Sequence, residues 1–121
     1  MALSTDIMKG GFSAGAARAI QGQANGAVAA AGTTQATATA ITQSTVAVTS
    51  GTGGVVLPSA EINDELAIVN LLGSGTQLTV YPPSGERING LAADSGFLLA
   101  DATAVKVKKF TTTRWMGFLS A

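Results

Sequence analysis

The stretch of sequence at residues 66–81, LAIVNLLGSGTQLTVY, decides the fold class. Its first seven residues are almost all apolar and end at a glycine cluster, a length typical of a buried strand rather than a helix. Gly73-Ser74-Gly75 predicts a reversal of the chain, and the alternation from Gln77 to Tyr81 predicts a second strand. We therefore expect a β-hairpin at the centre of an antiparallel sheet.

Short strands separated by turns continue on both sides of this hairpin. Polar and apolar residues alternate, or short apolar runs stop at Gly or Pro, in segments 34–41, 45–49, 55–57, 97–100, 104–108 and 114–119. Segment 88–91 could be either a short strand or a turn. About eight strands at such even spacing are typical of a small antiparallel β-sandwich or barrel. The sequence thus predicts an all-β domain over residues 32–121.

Residues 1–31 differ from this domain and are predicted to be an N-terminal arm rich in Ala and Gly. Small residues from Ala17 to Ala31 recur at helical spacing, but the interspersed glycines disfavour a helix. An extended arm and a short helix supported by neighbouring copies both remain open. The arm's few larger side chains are the candidate contacts with a partner: Ile7, Met8, Phe12, Arg18 and Ile20.

The composition excludes several kinds of chemistry. The 121 residues include no cysteine and no histidine, and seven basic residues balance seven acidic ones. Disulfides, thiolate zinc sites and histidine-based triads are therefore excluded, and a neutral chain offers no electrostatic footprint for nucleic acid or an anionic membrane. No apolar run approaches the length that spans a bilayer. We expect no enzymatic activity and no cofactor or metal.

Two charged clusters have alternative interpretations. Glu61, Asp64 and Glu65 could contribute to a calcium site, but a solvated loop before a buried strand fits the pattern better. A second cluster contains three lysines, at positions 106, 108 and 109. Since aromatic residues are not interleaved with them, we expect them to protect an edge or exposed strand rather than to bind nucleic acid. The neighbours Glu86 and Arg87 could pair with each other or across an interface.

The aromatic side chains after residue 33 are predicted to pack in the core: Tyr81, Phe97, Phe110, Trp115 and Phe118. Tyr81 has a second interpretation, because an aromatic ring beside Pro82 and Pro83 could stack on a sugar. Together with Arg87, these three residues form the candidate surface for recognition.

The order of several segments resembles a group of small virion proteins of tailed bacteriophages. The matching segments are AGTTQATATAIT (31–42), VVLP (55–58), DELAIVNLLGSGTQLTVYPPSGERINGL (64–91) and RWMGFLSA (114–121). Within them lie the shared motifs Ile68-Val69-Asn70, Leu78–Pro82, Ile88–Leu91 and a closing strand from Trp115 to Ala121. The resemblance covers residues 31–121 well and the arm loosely.

This resemblance implies a structural protein on the outer surface of a phage head. A chain of this length is similar to capsid decoration (cement) proteins, which typically sit as trimers on the capsid lattice and bridge neighbouring capsomers. The partners it implies are further copies of the chain and the major capsid protein. The alternative is a receptor- or glycan-binding module of a head or tail fibre.

Overall fold

The computed structural model describes residues 24–119, and within that range the chain is all-β, with ten strands and no helix. The strands are β1 (Ala24–Ala30), β2 (Thr39–Ala40), β3 (Thr45–Gly51), β4 (Gly53–Val56), β5 (Glu65–Asn70), β6 (Leu78–Tyr81), β7 (Arg87–Ile88), β8 (Phe97–Leu99), β9 (Ala104–Lys109) and β10 (Arg114–Leu119). The predicted all-β class is confirmed. The described range has ten strands where about eight were expected, and two of the ten contain only two residues each.

The strands form two sheets of mixed direction. The larger sheet has the order β1-β3-β5-β9-β10-β7, and the smaller has the order β2-β4-β6-β8. Only β5–β9, β9–β10 and β6–β8 pair antiparallel, while every other neighbouring pair is parallel. The prediction of an antiparallel sheet is therefore wrong.

The parallel pairing follows from the path of the chain. From β1 to β9, successive strands lie alternately in the larger and the smaller sheet. Neighbours within a sheet are therefore often next-but-one in sequence and run in the same direction, as β1, β3 and β5 do. For the same reason, the predicted hairpin of β5 and β6 is wrong, because the glycine turn between them carries the chain from one sheet to the other.

Both sheets contribute to a single hydrophobic core. The burial pattern of β5 alternates, with Leu66, Ile68 and Asn70 buried, and β3 and β9 follow the same period. From the smaller sheet, Leu78, Val80 and Leu99 join the same cluster. One core shared by two sheets is consistent with a β-sandwich.

Two segments depart from their predicted conformation. Residues 24–30, assigned to the arm, form β1 and pair with β3. Residues 34–41, predicted as a strand, contain a turn closed by the Ala38 N–H to the Thr34 carbonyl at 3.0 Å, and only β2 is extended. The Thr37 hydroxyl lies 2.9 Å from that of Thr34. Such local hydrogen bonds of threonine side chains compete with strand pairing, which explains the turn.

Candidate functional site

The four predicted recognition residues do not form one patch in the structure. Tyr81 and Arg87 belong to different sheets, and Pro82 is buried. Arg87 directly precedes the core residue Ile88, so its side chain is directed away from the core. The predicted arm contacts, namely Ile7, Met8, Phe12, Arg18 and Ile20, lie outside the described residues.

Tyr81 lies on the outer side of the smaller sheet in a fixed position. A Cβ added at Gly54 would lie 2.7 Å from Tyr81 Cε2, and one added at Gly96 would lie 3.0 Å from Cε1. The ring therefore occupies the space that two glycines leave free on its opposite edges. Its hydroxyl donates a hydrogen bond of 2.9 Å to the Thr33 carbonyl, which holds the far end of the ring.

Polar contacts also hold the corner next to Tyr81. The Gln35 amide donates to the Pro82 carbonyl at 2.6 Å and to Asp94 Oδ1 at 3.1 Å. The same carboxylate oxygen accepts the Gly85 N–H at 2.6 Å. Asp94 therefore ties the proline turn to the segment before β2, and its carboxylate is occupied by structural contacts.

Asn70 connects the two sheets at the end of β5. Its buried amide donates to the carbonyls of Thr76 and Leu99, both at 2.9 Å, and its Oδ1 accepts the Leu72 N–H at 3.0 Å. Asp101 accepts the N–H groups of Gly73 and Gly75 on the same loop. The loop after β5 is thus held from both ends, a role that sequence analysis did not assign to either residue.

Asn89 performs a similar task at the edge of the larger sheet. Its φ angle is 53°, a conformation that asparagine tolerates better than most residues. Its Oδ1 accepts the Gly117 N–H at 2.8 Å, and its own N–H donates to the Trp115 carbonyl. The short strand β7 is thereby extended along β10. The motif asparagines at 70 and 89 hold strand ends in place, and their position directly after a β-branched residue is the signal that could have identified them.

The acidic residues of the first charged cluster do not converge on a common point. Asp64 Oδ2 accepts the Glu61 N–H at 2.9 Å and closes a turn. Glu65 instead pairs with Lys106 at 3.1 Å and with Lys108 at 3.7 Å. Within residues 24–119, no group of three or more acidic, histidine or cysteine side chains could hold a metal ion.

The lysines occupy different environments from those predicted. Their strand β9 lies between β5 and β10 in the interior of the sheet, so they do not protect an edge. Lys109 is only 7% exposed and forms an ion pair with Glu86 at 3.1 Å. No ion pair joins Glu86 to Arg87 within the described residues. The prediction of an edge-protecting lysine stripe is therefore wrong.

The aromatic residues divide between core and surface. Trp115 is fully buried and Phe97 packs against the core, as predicted. Phe110 and Phe118 are 47% and 54% exposed, so their prediction as core residues is wrong. Phe110 directly follows the last residue of β9. Phe118 lies three residues after Trp115 in β10 and therefore projects from the opposite side of the sheet.

An open groove of about 800 Å³ lies on the described surface between segments 42–45 and 58–67. Its charged lining residues are Asp64, Glu65 and Lys106. Glu65 and Lys106 neutralise each other, and the hydrogen bond from Lys106, strengthened by the charges of Lys106 and Lys108, lowers the pKa of Glu65 below its ordinary value. A carboxylate with a lowered pKa is a poor general base at neutral pH.

Comparisons with known proteins add no identification. No protein-family model matches the chain, and no curated protein sequence matches it either. In the part of the chain that the structure describes, no helix is long and apolar enough to cross a membrane.

Proposed function

We propose that this chain is a structural virion protein, a capsid decoration (cement) protein that binds the outer surface of a phage head as a trimer and stabilises contacts between capsomers. The observation that carries the proposal is the structural role of the motif residues. Asn70, Asn89 and Trp115, which carry much of the resemblance to phage virion proteins, all hold the β-fold together through buried side chains or backbone contacts. The residues behind the resemblance therefore serve the fold, which supports a structural role.

Most carboxylates of the described residues also serve the fold, which supports a binding role for the chain. Asp94, Asp101 and Glu86 accept hydrogen bonds from the fold itself, and Glu65 is neutralised by two lysines. Such contacts hold the fold and leave these carboxylates occupied. A decoration protein needs a stable shape and many copies rather than a reactive site, since many modest contacts add up through avidity.

The test uses shells of the phage that encodes this chain, prepared without it. Adding the purified protein should saturate sites on the shells and raise the temperature at which they disrupt, because a ligand that binds only the intact shell stabilises it. Absence of binding, or binding without any change in shell stability, would contradict the proposal.

A receptor- or glycan-binding role is the second candidate, and the setting of Tyr81 favours it. The ring lies on the outer side of the smaller sheet, and its hydroxyl is fixed by Thr33. An immobilised aromatic side chain loses little conformational entropy when it stacks on a sugar. Screening the wild-type chain and Tyr81→Ala on a glycan array tests this role, and a wild-type chain that binds no glycan would exclude it.

A further inference from the structure

The charged side chains of the described residues are largely neutralised within the chain. The three lysines within residues 24–119 all pair with glutamates, and Asp64, Asp94 and Asp101 accept backbone N–H groups. Three charged groups make no ion pair or hydrogen bond with other residues in the described range: the guanidinium groups of Arg87 and Arg114, and the carboxylate of Glu61.

The two arginines are direct neighbours. Arg87 of β7 is the register partner of Arg114 of β10. Each directly precedes a fully buried residue, Ile88 or Trp115, so both side chains project from the same outer side of the larger sheet. Like charges directly across a sheet destabilise it. A carboxylate placed between the two guanidinium groups would remove this repulsion and accept charge-assisted hydrogen bonds.

Apolar side chains continue this surface along β10. Met116 and Phe118 alternate with Trp115 and therefore project on the same side as Arg114. Phe118 is 54% exposed, although it is a large apolar residue. Arginine, methionine and aromatic residues are the types enriched in protein–protein interfaces. We name the surface formed by Arg87, Arg114, Met116 and Phe118 the β10 face.

The third unpaired charge, the Glu61 carboxylate, complements the β10 face. Glu61 is exposed and is followed by Ile62, which is 47% exposed. Asp64 fixes the backbone of this turn, because its carboxylate accepts the Glu61 N–H and its own N–H donates to the Glu61 carbonyl at 3.1 Å. The turn therefore presents a carboxylate beside an apolar side chain, which complements the arginines and apolar residues of the β10 face.

We propose that the β10 face binds the Glu61–Ile62 turn of a second copy of this chain, with the Glu61 carboxylate between Arg87 and Arg114. The contact joins two different surfaces, and such a contact closes into a ring when it is repeated around a rotation axis. The inference deepens the proposed trimer by naming its interface, and it requires no contact with a capsid.

Sedimentation equilibrium of the full chain over a range of concentrations tests this interface. The wild type is expected to self-associate, and Arg87→Ala/Arg114→Ala is expected to raise the dissociation constant about ten- to a hundredfold, the effect of losing hydrogen bonds to a charged group. The matched control is Thr52→Glu/Gln77→Glu, which changes the net charge by the same amount at two exposed positions outside the proposed contact. It should associate like the wild type.

Charge exchange tests the pairing itself. Glu61→Arg alone and Arg87→Glu/Arg114→Glu alone should each weaken association, and the three changes together should restore it, with folding of every variant checked by circular dichroism. A monomeric wild type, association unaffected by the arginine changes, or no restoration in the triple variant would each overturn the inference. Binding to shells is measured separately, so that a failure here is distinct from a failure of the decoration role.

Discussion

Lys109 and Glu86 form an ion pair beneath the surface, with 3.1 Å between Nζ and Oε1 and with side chains that are only 8% and 14% exposed. The same glutamate oxygen accepts the Trp115 indole N–H at 2.9 Å, and the Lys109 ammonium also donates to the Ala60 carbonyl at 2.9 Å. These contacts join β9, β10 and the segments before β5 and β7. The charged groups therefore act as part of the core.

Removal of the lysine from this pair should be costly. Lys109→Met leaves the Glu86 carboxylate without its countercharge, and breaking a buried pair from one side typically costs about 3–5 kcal/mol. We expect a loss of unfolding free energy of about that size in urea denaturation monitored by Trp115 fluorescence. Lys106→Met is the control, since its ion pair is largely exposed and should contribute less than about 1 kcal/mol.

A double variant separates the cost of the isolated charge from the value of the pair. In Lys109→Met/Glu86→Gln, the neutral amide can still accept the Trp115 indole N–H, and no unpaired charge remains. This variant should therefore be more stable than Lys109→Met alone. If the losses of unfolding free energy in Lys109→Met and Glu86→Gln simply add in the double variant, the two side chains are not coupled. The interpretation of the contact as a buried ion pair then fails.

Asn70 provides a second prediction, because all of its side-chain hydrogen bonds are directed at backbone groups. Asn70→Ala leaves the Leu72 N–H and the carbonyls of Thr76 and Leu99 without these partners, and each buried group left unpaired costs about 1–3 kcal/mol. We expect a drop of at least about 2 kcal/mol in thermal or urea unfolding. Gln77→Ala, at an exposed position beside the same loop, should cause little change.

Hydrogen exchange adds a local readout to this variant. In the wild type, the Leu72 amide is bonded to Asn70 Oδ1 and the Gly73 amide to Asp101. Asn70→Ala should accelerate exchange at Leu72 more than at Gly73. Equal acceleration at both amides would indicate that the variant loosens the whole loop, contrary to the role assigned to Asn70.

Gly54 gives a third prediction, which concerns the space beneath Tyr81. A Cβ at this position would lie 2.7 Å from both the Thr79 carbonyl oxygen and the Tyr81 ring. Because the carbonyl belongs to the neighbouring strand and cannot easily move, Gly54→Ala should destabilise the protein by about 1–3 kcal/mol.

Two further variants sharpen the Gly54 prediction. Gly90→Ala is the matched control, since no atom lies within 4 Å of its added Cβ, and it should change the unfolding free energy by less than about 1 kcal/mol. Tyr81→Ala removes only the ring, so combining it with Gly54→Ala should relieve part of the strain and leave the clash with Thr79. Equal stability of Gly54→Ala and Gly90→Ala would contradict the packing described for Tyr81.

The sequence predicts the individual strands better than their pairing. Alternation in β3, β5 and β9 identifies which residues face the core, because a period of two has the same meaning in any sheet. Parallel and antiparallel neighbours share that period, so alternation cannot reveal that the chain changes sheet after each strand from β1 to β8. The glycine turn after β5 is compatible with a hairpin. What carries the chain to the other sheet includes the hydrogen bond from Asn70 to Leu99, and these two residues are far apart in sequence.

The same limit explains the incorrect assignments of charged and aromatic residues. Two adjacent lysines in a strand must project from opposite sides of the sheet, so Lys108 and Lys109 could not both be on its outer side. The pattern does not show that Glu86, from the segment before β7, would neutralise the inner lysine, Lys109. Likewise, Phe118 has the hydrophobicity of a core residue, but its register relative to Trp115 directs it outward.

Glu65 gives the last prediction, a dependence of stability on pH. The hydrogen bond from Lys106 and the positive charges of Lys106 and Lys108 lower the pKa of Glu65 in the folded chain. As the pH falls, the unfolded chain therefore takes up this proton before the folded chain does. The stabilising contribution is complete above the unfolded-state pKa of about 4.3, and it is lost as the pH falls through the lower pKa of the folded state.

Urea unfolding of the wild type and of Glu65→Gln, measured from neutral pH down to acid pH, checks this sign. The difference in stability between the two should be constant near neutrality and should shrink as the carboxylate is protonated. The expected effect is small, because the carboxylate is 42% exposed and solvent screens its pairs with the lysines. Gln77→Ala is the control, since it changes an exposed residue without an ionisable side chain, and its difference from the wild type should stay flat. A gap for Glu65→Gln that widens with acid would mean that the pKa is raised rather than lowered, and would contradict the pairing of Glu65 with the two lysines.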